Sequence, residues 1–153
     1  MAKMVSVRIV EVFDAPRDDV FAAWTEAEQL QRWWGPGRFQ TVSANIDLRA
    51  GGRYELLLEP GSLRLVGEFR EVTPPSRLVY TWQWTAGVPD TRESLVTVEF
   101  RDLGGRTELV LVHDNFAGPA PIDMYDTGWR SGLEKLRGHL AGMHHAHRST
   151  SRP

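Results

Sequence analysis

Cysteine is absent from all 153 residues. That removes disulfides, thiolate catalysis and thiolate-type zinc sites together. An excess of charge is lacking as well: 18 basic side chains face 20 acidic ones, for a net charge of −2. A nucleic-acid or anionic-membrane partner calls for a basic surface that this balance does not supply. No apolar run reaches membrane-spanning length, and Arg8 and Glu11 interrupt the first segment before a signal-peptide core could form. Also missing are a phosphate loop, a Gly-x-Ser-x-Gly elbow, a His-Glu-x-x-His helix and a dinucleotide fingerprint. These absences set the expectation of a cytoplasmic protein with no metal, no cofactor, no nucleic-acid partner and no membrane. The length allows one domain with a sizeable core and little room for a second.

What is present begins with the last regular segment, Pro121 to about Gly142. Ile122, Tyr125, Trp129, Leu133, Leu136 and Leu140 recur at three- and four-residue steps, which is one stripe of a helix. Pro121 suits the first helical position and Asp123 the positive first turn. Asp126, Arg130, Glu134 and Arg137 mark the wet side, so the Trp/Leu stripe needs a large apolar partner. Gly128 and Gly132 stand four apart beside that stripe, although each interior glycine costs about 1 kcal/mol relative to alanine. Two readings fit: close packing against a neighbour, or a groove between helix and sheet where a ligand lies.

Upstream, Val5 to Phe13 reads as a strand, stopped by Asp14-Ala-Pro16. A short helix runs from Pro16 through Trp24, with Val20, Phe21 and Trp24 inward. A second, Glu26 to Trp34, is expected to be capped by Thr25 with Glu28 at the capping-box position. Gly35-Pro36-Gly37 ends it. Trp33 and Trp34 are consecutive, so only one is expected to point fully inward.

From Phe39 the period becomes two for seventy residues. The inner face is expected to carry Val42, Ala44, Ile46 and Leu48, then Tyr54, Leu56 and Leu58 after the Ala50-Gly51-Gly52 turn. It continues with Leu65, Gly67 and Phe69, then Leu78, Tyr80, Trp82 and Trp84 after Pro74-Pro75. Val96, Val98 and Phe100 come next, and Leu109, Leu111 and His113 close the series beyond Gly104-Gly105. Such hairpins with one apolar face form an antiparallel meander, buried on one side and wet on the other. The expected fold is therefore α+β: a seven-stranded antiparallel sheet curled round one long C-terminal helix, with two short helices after the first strand. A single domain over 1–142 and a flexible tail over 143–153 complete the expectation, the tail holding His144, His145 and His147.

In this order the residues resemble the START-like, or SRPBCC, superfamily, the helix-grip fold shared with the major birch pollen allergen. Within it they are similar to homologues of the heat-shock-protein-90 ATPase activator. The resemblance is carried by Phe13-Asp-Ala-Pro16, Val20-Phe21-Ala-Ala-Trp24, Trp33-Trp34-Gly-Pro36, Asp47-Leu-Arg-Ala-Gly-Gly52 with Tyr54, and Gly67-Glu-Phe69. Glu71-Val-Thr-Pro-Pro75, Leu78-Val-Tyr-Thr-Trp82, Thr107 to His113 and Gly128-Trp129 with Leu133 and Leu136 extend it across residues 5 to 142. It implies the fold; a fold hosts many functions. The eukaryotic co-chaperones that name the family carry an additional domain, for which this chain has no room, so a chaperone partner is not carried over.

Tyr54, Trp82, Trp84, Trp129 and Phe39 together would overfill a small core unless some line a cavity. Trp33, Leu56, Leu58, Phe69, Val98, Leu111, His113, Tyr125 and Leu133 join them as candidate ligand-binding residues. His113 is the candidate acid-base group, or else a hydrogen-bonded core histidine. Glu71 would support it if inward, but equally suits a hydrogen bond at the Pro74-Pro75 turn. Asp47 and Arg49 read as hairpin anchors. The expected function is binding of a hydrophobic, aromatic or lipid-like small molecule for transport, sequestration or resistance, by a monomer or homodimer. The alternatives are a polyketide cyclase- or dehydratase-like enzyme using His113, and an interaction module acting on another protein. The charged and Thr/Gln outer positions speak against the last.

Overall fold

The computed structural model describes residues 6–88, 91–116 and 122–150, with side chains of the last helix as far as Met143. Pro121 and the side chains of His144, His145 and His147 lie outside the described residues. The chain runs β1 (Val7–Phe13), α1 (Arg17–Thr25), α2 (Ala27–Trp33), β2 (Gln40–Ile46), β3 (Arg53–Glu59), β4 (Leu63–Thr73) and β5 (Arg77–Ala86). It ends with β6 (Ser94–Asp102), β7 (Thr107–Asp114) and α3 (Ile122–Thr150). The strands form one seven-stranded antiparallel sheet in the order β1-β7-β6-β5-β4-β3-β2. β2 to β7 are a plain meander, and β1 adds itself beside the last strand. Its register runs from Val7 opposite His113 to Phe13 opposite Thr107. Fully buried Thr107 secures that pairing by donating to the Ala15 carbonyl at 2.7 Å.

Period-two alternation sets the inner face as the sequence predicts: Tyr54, Leu56, Leu58, Leu65, Phe69, Leu78, Tyr80, Val96, Val98, Phe100, Leu109 and Leu111 are all buried. Against it α3 lays Tyr125, Trp129, Leu133, Leu136 and Leu140, also buried. Gly67 shows why one inner position of β4 has no side chain. The Tyr54 ring crosses it, so an added Cβ would sit 2.3 Å from that ring, and the phenol reaches over to donate to the Thr81 carbonyl at 2.6 Å.

Several sequence expectations need correction. A bulge between Thr41 and Ser43 turns β2 over, so Thr41 is buried and Val42 is half exposed. Leu48 lies beyond β2 and is exposed. A second bulge, between Phe69 and Glu71, puts Glu71 on the outer face, where Arg77 Nε binds its carboxylate at 3.1 Å. Thr25 does not cap α2; its hydroxyl donates back to the Phe21 carbonyl at 2.8 Å inside α1, and Glu26 takes the cap position with no side-chain bond to the backbone. Trp33 and Trp34 are both buried, because the chain leaves helical geometry at Trp34 (φ −73, ψ 129) and frees its side chain from the helix phase. Finally, α3 does not stop at about Gly142 but continues to Thr150. Gly142 weakens a helix by about 1 kcal/mol without ending it, and no proline follows before Pro153.

Candidate functional site

Where α2 ends, the Gly35-Pro36-Gly37 segment bends back over α3. Gly35 is held at φ +138, and a Cβ there would lie 2.5 Å from the Phe39 carbonyl, so only glycine fits. This strap is tied down along its length. Lys135 Nζ donates to the carbonyls of Gly35 at 2.7 Å and Phe39 at 3.0 Å, and Gly37 N–H donates to Ser131 Oγ at 2.8 Å. Partial burial holds the Lys135 ammonium below the ordinary lysine range. Gly128 and Gly132 are the helix positions under the strap. A Cβ at Gly128 would just touch Pro36 at 3.4 Å, and one at Gly132 would meet the Gly35 carbonyl at 4.0 Å.

Beside the strap lies a cavity of about 500 Å³, partly open to solvent. Trp33, Trp34 and Phe39 wall one side, Trp82 and Trp84 of β5 another, and Tyr125 and Trp129 of α3 a third. Leu63, Gly87, Val88 and Met124 complete the apolar lining, while Arg38, Thr127 and Ser131 bring the polar atoms. Among the described residues no carboxylate and no imidazole lines it. Its volume falls within the roughly 300–1,000 Å³ of small-molecule sites.

Of the residues expected at a site, Trp33, Phe39, Trp82, Trp84, Tyr125 and Trp129 meet in this cavity. Tyr54, Leu56 and Phe69 instead line a hollow of only about 30 Å³ deeper in the core, room for a single water. Burial pushes the phenols of Tyr54 and Tyr80 there well up from the ordinary tyrosine value, Tyr80 adding to the shift at Tyr54. Leu58, Val98, Leu111 and Leu133 are packed core and face neither space. The sequence did not single out Trp34 or the strap as cavity wall: Gly-Pro-Gly reads only as a helix stop until its contacts with α3 are seen. A second depression, of about 610 Å³, shares Trp33, Trp34 and Phe39 but is otherwise lined mainly by polar residues, including Arg32, Lys135 and His139. It lacks the enclosing aromatic faces of the first.

His113 points inward, with none of its surface exposed, yet it stands behind the cavity rather than in its lining. Trp129 Nε1–H donates to its Nδ1 at 3.0 Å, so that nitrogen carries no proton and the ring is neutral. The proton sits on Nε2 and is donated to Ser94 Oγ at 2.7 Å. Trp82, Phe116 and Tyr125 enclose the ring at centroid distances of 4.8, 4.7 and 4.9 Å. Glu71 lies across the sheet in the outer network with Arg77 and Thr73. The two candidate acid-base residues are thus not brought together.

The tryptophans divide by what their N–H groups meet. Trp24 donates to the Tyr80 hydroxyl, Trp33 to the Ala23 carbonyl and Trp129 to His113. Trp82 Nε1 is buried and has no hydrogen-bond partner among the described residues. Its ring is fixed by Trp34 and Trp129, with centroids at 5.6 and 5.2 Å, and by Trp84 edge-on at 5.6 Å.

The family model for activator of Hsp90 ATPase homolog 1-like proteins matches residues 14–141. Among solved structures, a protein of Rhizobium leguminosarum matches with a TM-score of 0.77 at 24% identity, covering 91% of this chain and 95% of that one. A Silicibacter pomeroyi protein bearing the same family name gives a TM-score of 0.77 at 26% identity, covering 90% and 98%. DynU16, described as a protein of the dynemicin biosynthetic locus, gives 0.75 at 20% identity, covering 89% of this chain and 47% of its own. No protein of curated function matches. No helix among the described residues is long and apolar enough to cross a membrane.

Proposed function

The chain belongs to the family of activator of Hsp90 ATPase homolog 1-like proteins, in the START-like (SRPBCC) superfamily, and from that premise we propose that it binds a small hydrophobic molecule. The ligand lies between the sheet and α3, for transport, sequestration or resistance. The observation that carries this reading is the aromatic cavity of about 500 Å³. A core built for stability alone closes such space, because each unfilled volume forfeits packing energy. Here Gly128 and Gly132 hold it open at a cost of about 1 kcal/mol each in helix stability.

Cyclase- or dehydratase-like chemistry would need an acid-base group facing the ligand. His113 is behind the wall with both nitrogens engaged, and Glu71 is on the far face. Action on a chaperone or other protein would need a continuous apolar patch outside. The large apolar side chains that are exposed, such as Val10, Val42, Leu103 and Met143, come from β1, β2, the β6–β7 turn and the far half of α3. The likeness to DynU16 adds the shared fold and no more.

Native mass spectrometry of the protein taken from its source cells tests the proposal. A co-purifying molecule of a few hundred daltons, released on unfolding, is the expected result. Protein that carries no adduct and whose tryptophan fluorescence is unmoved by hydrophobic aromatic probes would refute it.

A further inference from the structure

The depression of about 610 Å³ between α2 and the far half of α3 plays no part in the binding reading above, and its charges are one-sided. Arg32 enters it from α2, and Lys135 and His139 enter it from α3, one turn apart. Among the described residues no carboxylate lines it. Elsewhere on α3 the cations are answered: Arg130 pairs with Asp126, and Arg137 with Glu11 and Glu134. Arg32 is exposed and has no hydrogen bond or ion pair among the described residues, although Glu28 stands one turn back on α2. Glu26 is bonded to Gln29, and β2, packed against α2, is uncharged from Gln40 to Ile46. The sequence holds no Asp or Glu after Glu134.

Each of the three basic groups keeps a donor to spare. Lys135 Nζ gives two of its three N–H groups to the Gly35 and Phe39 carbonyls, which leaves one. The Arg32 guanidinium presents its whole fork, the geometry that suits carboxylate and phosphate oxygens. His139 Nε2 donates to Gln29 Oε1 at 3.1 Å, since the Gln29 amide nitrogen is turned to Glu26, and Nδ1 is left for a further proton. Burial first and the Arg32 charge second hold that imidazole below its ordinary value. Half-buried Phe39 and exposed Met143 give the same depression an accessible apolar flank.

We propose that this depression is a second ligand site, separate from the aromatic cavity, that takes a small organic anion. The carboxylate or phosphate group of that anion is held among Arg32, Lys135 and His139, and its apolar body lies on Phe39 and Met143. A neutral molecule leaves the three basic groups unanswered, a bare ion leaves the apolar flank uncovered, and a metal cation meets only like charge.

Hexanoate and hexyl phosphate test the two head groups, with 1-hexanol as the neutral match and inorganic phosphate as the bare ion. Binding to the full chain is followed by NMR of the His139 imidazole, assigned by its loss in His139→Gln. Either anion should move the His139 resonances saturably and raise the titration midpoint of the ring, because a bound negative charge favours imidazolium. The tighter of the two identifies the head group. Arg32 is exposed, so Arg32→Gln leaves the fold intact. It should weaken the anion about tenfold or more, the worth of one charge-assisted hydrogen bond, while Arg32→Lys retains part of the affinity. Binding of a hydrophobic aromatic probe in the other cavity should be the same in both variants and the wild-type chain. Anions that leave His139 unmoved, hexanol that acts as hexanoate does, or undiminished binding by Arg32→Gln overturns the proposal. So does inorganic phosphate that binds as tightly as hexyl phosphate, which marks an adventitious ion only.

Discussion

Replacing Gly132 separates what the cavity does from what the helix wants. This residue is buried in α3, lines the cavity, and an added Cβ would meet nothing closer than the Gly35 carbonyl at 4.0 Å. Gly132→Ala therefore gains the helix-propensity difference of about 1 kcal/mol with no steric offset. In a chain of this size that raises Tm by roughly 2–4 °C. Gly132→Leu keeps most of that propensity gain, and the cavity is the space into which its four-carbon side chain extends. Thermal unfolding should show Leu no less stable than wild type, while quenching titrations with a hydrophobic aromatic probe show affinity lowered at least tenfold. Gly138→Ala is the control: its position in the same helix is exposed, nothing lies within 4 Å, and it does not line the aromatic cavity. It should add about 1 kcal/mol and leave probe affinity unchanged. A Gly132→Leu chain that binds as wild type does would refute the reasoning, since the glycines would then not be keeping ligand space open.

The site supports two more expected outcomes. His113→Ala leaves a void and an unmet Trp129 donor, so unfolding free energy should fall by about 2–5 kcal/mol while probe affinity changes by less than that of one hydrogen bond; a saturable turnover lost with His113 and with binding intact would contradict the binding reading. His139 is held below its ordinary pKa by burial first and by the Arg32 charge second. A depressed folded-state pKa means the unfolded chain binds more protons, so this contribution is complete above about pH 6.5 and is lost as pH falls below it. His139→Gln should lessen the drop in Tm between pH 7 and pH 5; an unaltered drop would show that His139 is not its source.

The fold was legible because two periods dominate the sequence. Alternation from Tyr54 to Leu111 and the three-four spacing from Tyr125 to Leu140 each name a buried face without reference to the rest of the chain. Where the reading failed, one inserted residue was the reason. The bulges at Val42 and Arg70 reverse the facing of neighbouring strand residues, and no composition signal marks them. The site was half legible. Large aromatics announced a cavity, but whether a given one lines it or fills the core depends on where the strap crosses α3. That is decided by Lys135 and Ser131 bonding to backbone about a hundred positions away, contacts that carry no local pattern. His113 was placed on the correct face, and its role turned on Trp129 and Ser94, again distant in the chain.

The pairing of β1 with β7 has a bearing on events at the ribosome. Ala15 and the Thr107 that holds it are 92 positions apart, and at about 5–20 residues per second the first strand waits roughly 5–20 s for its neighbour. Throughout that interval Val7, Ile9 and Phe13, all buried in the finished molecule, are in water or in the hands of a holdase. α3 emerges later still, and without it neither the strap nor the third wall of the cavity exists. On the proposed binding function, ligand capture would be confined to chains whose translation has passed α3. A nascent chain arrested earlier would then compete for no small molecule, however well its meander has formed.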